Sequence, residues 1–152
     1  MNIKILISFC FLIQGNLKSQ QFDSLETYYW IPVSDTLAII DVPPNYKIKN
    51  WFYGEGVLTN LVYSDSSKIF LHFGGCVSLP FCQEPDCIVK RKFEVKDRIY
   101  RSGILKDLNL YWREENHVES AFVNIGFVNV HENNLLMFNR SLDSFKLNTK
   151  FY

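Results

Sequence analysis

Apolar and polar positions follow three rhythms along this chain, and each predicts a different kind of element. The first is a near-continuous apolar run, Ile5 to Ile13, behind a short start carrying Lys4 and ahead of polar Gln14-Gly15-Asn16. That order is the anatomy of a secretory signal peptide, with Ser19 as the small residue before the cut. The run is too short to span a bilayer, which takes about 20 residues. Residues 1–19 therefore read as a signal peptide and residues 20–152 as one globular domain. Cys10 as a lipid-attachment site is the lesser reading, because Phe9 stands where such sites carry a small residue.

The second rhythm is alternation by two, the signature of half-buried strands. Leu37 to Val42 reads as a strand stopped by Pro43-Pro44, since proline lacks the N–H a ladder needs. Val57, Thr59, Leu61 and Tyr63 share one face of the next strand. Asp65-Ser66-Ser67 turns the chain, and Ile69, Leu71 and Phe73 return on one face with Phe70 and His72 on the other. Further strands are predicted over 88–95, 97–104, 109–114 and 120–130. The first of these is lysine-rich, as edge strands often are. Gly126 marks a bulge or a close packing point, and Asn116-His117 a turn.

The third rhythm begins at Leu135. Leu135, Phe138, Leu142 and Phe145 are spaced by three, four and three, which puts them on one helical face. Asn133 or Asn134 is the expected N-cap, and Asn139 is expected to face solvent. The competing reading is a strand over Leu135 to Phe138. The sum is an α+β, mainly β domain: an antiparallel sheet of about six strands with a C-terminal helix packed on one face.

Composition narrows the function classes. The full chain balances 16 Lys and Arg against 16 Asp and Glu. Loss of Lys4 and Lys18 with the signal leaves a mature chain near −2. That gives no electrostatic case for nucleic acid, and no membrane span is expected after cleavage. Aromatic residues make up 16 % of the chain, in clusters such as Trp51-Phe52-Tyr53 and Tyr111-Trp112. They are read as core rather than as a sugar- or peptide-stacking surface.

Export also sets the sulfur chemistry. Cys76, Cys82 and Cys87 remain after cleavage, an odd number in an oxidising compartment. One disulfide among them and one unpaired cysteine is the expectation. A Cys₃His zinc site with His72 is the alternative, but intervals of five and four residues are wider than paired zinc ligands usually show. No metal or cofactor is expected. A catalytic thiol served by His117 or His131 has no local signal. Pro43-Pro44-Asn45-Tyr46 matches a proline-rich recognition tetrapeptide but is better explained as a strand end. Tyr111, Arg113 and Glu115 would share one strand face, as a recognition patch with Arg113 as its anchor, or as a core strand with Arg113 in a cross-strand ion pair.

No phosphate loop, dinucleotide fingerprint or metalloprotease helix occurs. The expected role is that of an exported, periplasmic or secreted, non-enzymatic binding module, with another envelope protein or a polymer as partner. The alternatives are a small hydrolase whose carboxylates come from separate strands, and a Cys/His zinc or redox protein.

Overall fold

The computed structural model describes residues 21–31, 34–53, 56–74, 87–95, 98–117 and 123–151. The expected signal peptide, Cys76 and Cys82 lie outside them. Ten strands and one helix follow in the order β1 (Asp23–Ile31), β2 (Ser34–Val42), β3 (Lys47–Tyr53), β4 (Gly56–Val62), β5 (Lys68–Phe73), β6 (Cys87–Val95), β7 (Arg98–Leu105), β8 (Tyr111–His117), β9 (Val123–Val130), α1 (Glu132–Ser144) and β10 (Lys146–Phe151). The fold is the mainly β, antiparallel architecture with a C-terminal helix that the periodicity predicts, built as two sheets. Seven strands run β3-β4-β5-β9-β8-β7-β6, and three run β1-β2-β10.

The core forms where one face of the large sheet meets the small sheet and the helix. Leu61 from β4, Ile69 and Leu71 from β5 and Ile125 and Phe127 from β9 point into it, as the period of two requires. Ala38, Ile40 and Val42 come from β2 and Phe138 and Leu142 from α1, while Phe145, expected on the helical face, joins the core as the extended C-cap residue just after the helix. Leu135 joins this cluster half-buried. The backbone N–H of Asp41 donates to Ser144 Oγ at 2.9 Å, tying β2 to the end of α1.

Two features of β9 place the rest of the large sheet. Arg113 pairs with Phe127 and Tyr111 with Val130, so Val128 and Asn129 together oppose Trp112. Asn129 takes a positive φ of 61° at this bulge, a conformation asparagine tolerates better than most residues. Gly126, three residues earlier, is the close packing point and not the bulge. A Cβ there would lie 2.3 Å from the Arg113 carbonyl oxygen and 2.4 Å from the Phe70 ring.

Several expectations are corrected. The helix starts at Glu132 with His131 as its N-cap residue and no side-chain cap, in place of Asn133 or Asn134. Asn116 and His117 are paired inside β8, opposite Asn124 and Val123, and do not turn. His117 is buried edge-on against Phe145 at 5.5 Å, so packing overrides a polar pair that reads locally as a turn. Asn139 is half-buried and hydrogen-bonded to the sheet. Trp51 and Phe52 are surface residues of β3, Phe52 at 81 % exposure, so these two aromatic residues are not core. Pro43, by contrast, is buried and its carbonyl accepts from the Tyr63 hydroxyl at 3.1 Å, which fixes the tetrapeptide within the fold. No helix among the described residues is long and apolar enough to cross a membrane.

Candidate functional site

The small sheet and α1 cover the large sheet over β4, β5 and β9. Beyond the helix, the same face of β8, β7 and β6 forms one wall of an open groove of about 450 Å³. Cross-strand pairing explains which side chains line it. Ile104 opposes Tyr111, Ser102 opposes Arg113, and on the outer side Arg91 opposes Ser102 and Phe93 opposes Tyr100. The register shift between Val89 and Arg91 inserts Lys90 and turns Arg91 and Phe93 onto the groove side. Gly103 permits this, because a Cβ there would collide with the Ile88 carbonyl. Leu135 and Asn139 supply the helix wall.

Phe93 and Tyr100 stack at 4.8 Å with rings 12° apart, and Phe93 remains 52 % exposed. Arg91 is exposed and has no ion-pair partner among the described residues. The described lining contains basic, aromatic, aliphatic and amide side chains and no carboxylate.

Tyr111, Arg113 and Glu115 do share a face, as their alternation predicts, but that face points under the helix. Glu115 is 2 % exposed and the Arg113 side chain 18 %. Arg113 does not make the predicted cross-strand ion pair. Its Nη2 donates to Glu115 and to Asp143 of α1 at 2.8 Å, and its Nη1 donates to Asn139 Oδ1 at 2.9 Å. Arg113 is thus a clamp between β8 and α1, and its donors toward a ligand are largely committed. The cross-strand pair is Arg101 with Glu114, 2.8 Å apart on the opposite face, where Arg101 also stands 5.5 Å over the Trp112 ring. Trp112 is core, packed with Cys87, Leu105 and Val128.

Burial pushes the Glu115 carboxyl above its ordinary value, against the opposing pull of Arg113. The folded chain therefore holds this proton more tightly than the unfolded chain. The resulting stability is complete below the unfolded value of 4.5 and is lost as pH rises through the folded one. Relative to Glu115→Gln, which has no such proton, the unaltered protein should gain stability as pH falls from neutral toward 4.5. Urea midpoints of the two proteins at matched pH values measure this, and a constant difference would show that Glu115 is not shifted.

A second depression lies between Pro43, Tyr63, Asp65 and the start of α1. Asp65 there is already engaged: it accepts from the Ser67 N–H at 3.0 Å and from Asn134 at 3.3 Å. Burial works against the Asp65 charge, but these bonds outweigh it and hold its carboxyl below the usual range. Among the described residues lining it there is no cationic side chain to match Arg91 in the groove.

Among the described residues no three His, Cys, Asp or Glu gather to hold a metal. His72 and Cys87 lie on β5 and β6, four strands apart in the sheet order. At about 4.8 Å per strand that spacing is roughly 19 Å across the sheet, far beyond what one zinc ion can bridge.

Fold and groove together define a mainly β domain with a basic, aromatic cleft at the edge of its larger sheet. No protein-family model matches the chain, and no curated protein or solved structure matches it.

Proposed function

We propose that the mature chain is an exported, non-enzymatic binding module whose ligand lies in the groove over β6, β7 and β8. The observation that carries this is the lining: an uncommitted Arg91 beside the stacked Phe93 and Tyr100, with no carboxylate among the described residues around them. A ligand with an anionic group and a flat or apolar body fits that chemistry, and the volume is ordinary for a binding cleft, roughly 300–1,000 Å³. The hydrolase alternative has no acid in the described lining. Glu115 is held by Arg113, and Glu114 is held by Arg101 on the far side of the sheet.

The immobilised mature domain should retain a ligand from envelope extract. Arg91→Ala and Tyr100→Ala should each weaken that retention about tenfold or more, as loss of a central contact does. Phe52→Ala, on the opposite edge of the sheet, should leave it unchanged. Equal retention by all three variants would place the ligand elsewhere.

Export and a disulfide belong to the same proposal. Cys87 is buried at the first position of β6, and an oxidising compartment would favour its pairing with Cys76 or Cys82. Intact mass of the denatured, unreduced and alkylated chain from the envelope checks both. Residues 1–19 should be missing and one thiol labelled. Three labelled thiols would remove the disulfide, and a retained leader would favour an anchored protein.

A further inference from the structure

We propose that the groove's ligand is an acidic, extended peptide segment that adds to the outer edge of β6 as an eighth strand. This rests on the binding reading above and names its ligand class. β6 stands last in the seven-strand order, so its outer N–H and C=O groups have no strand partner among the described residues. Every residue from Lys90 to Val95 is exposed, and no described strand lies against this edge. A row of open backbone groups beside pockets for alternate side chains is what strand addition uses.

Charge selects the occupant. Lys90, Arg91 and Lys92 follow one another along the edge, with Glu94 the one acid between Cys87 and Val95. A second copy pairing β6 against β6 would set these cations near one another, so the same charges that repel a copy favour an acidic strand. Alternate residues of such a strand would face the groove side, where Arg91 offers its guanidinium to a carboxylate and Phe93 and Tyr100 offer apolar surface. A compact anionic metabolite would use Arg91 alone and leave the backbone row idle.

The probes are a short synthetic peptide alternating glutamate with valine, a twin methylated on the backbone nitrogens that would face β6, and a twin with lysine for glutamate. Binding to the mature full chain is read by fluorescence anisotropy. The glutamate peptide should bind, and more weakly as salt rises. Backbone methylation should cost about tenfold or more, since it removes the main-chain hydrogen bonds on which strand addition depends. Arg91→Glu with Lys92→Glu should transfer preference to the lysine peptide.

No binding, or equal binding of the glutamate and lysine peptides to the unaltered protein, overturns the proposal. If the methylated twin binds as well as its parent while Phe93→Ala weakens both, the groove reading stands and strand addition is wrong. If methylation abolishes binding while Phe93→Ala and Tyr100→Ala do nothing, β6 takes a strand and the groove reading is the one that fails.

Discussion

Phe138→Ala should destabilise the domain by roughly 3–5 kcal/mol, the usual cost of removing a fully buried aromatic ring. Phe138 is 1 % exposed and sits where all three layers meet. Its ring stands edge-on to Tyr63 at 5.2 Å and to Phe127 at 5.8 Å, and each such pair adds to the area term. Its loss leaves a cavity between α1 and the sheet, and the cavity adds to the lost transfer energy. Leu136→Ala, two residues earlier and 66 % exposed, is the matched control and should stay within about 0.5 kcal/mol. Urea denaturation of both variants gives the comparison. Equal midpoints would mean that the buried stripe of the helix has been misplaced.

Gly126→Ala should be nearly as damaging although it adds a single methyl group. The new Cβ would meet the Arg113 carbonyl oxygen at 2.3 Å and the Phe70 ring at 2.4 Å. The ring is itself 1 % exposed, and the carbonyl belongs to the pairing of β8 with β9, so neither can give way cheaply. Overpacking of this kind costs about 1–3 kcal/mol and occasionally more, and obstruction by backbone argues for the upper end. Because β8 carries Arg113, a shifted ladder would also loosen the Arg113 contacts to Asn139 and Asp143. Thermal melts should show the loss. A melting temperature matching the parent would require that β8 and β9 can separate without cost.

The parts of the fold legible in the sequence were those with strong, local alternation. β4 and β5 announce themselves because their apolar residues recur every second position and a short Asp-Ser-Ser turn separates them. The helix is legible because four large apolar residues fit a period of 3.6 and none other. β3 and β10 were not legible. β3 is exposed on both faces and so carries no burial pattern, and β10 has only Leu147 packed against the core among its described side chains. Their pairing comes from distant partners, which local propensity does not encode. The candidate site was legible only in part. Alternation puts Tyr111, Arg113 and Glu115 on one face, but it cannot tell which face a helix will cover. Arg91, Phe93 and Tyr100 are not legible as a site, because they sit on two strands and meet only through a register set by the bulge at Lys90. The lysine-rich alternation of 88–95 was the one signal that could have led to them.

The small sheet has a consequence for how a chain of this kind is made. β2 is flanked by the first strand and the last, and Asp41 is tied to a residue 103 positions further along. The β1–β2 hairpin closes a short loop. The β2–β10 ladder closes one that takes in most of the domain, a slower event because distant contacts are met late. Until β10 arrives, Ser34–Val42 presents a bare edge with strong β-forming residues at Ile39 and Ile40. A half-assembled molecule therefore carries a vacancy shaped for the tail of another, and crowding during production would favour exchange of β10 between copies over completion within one.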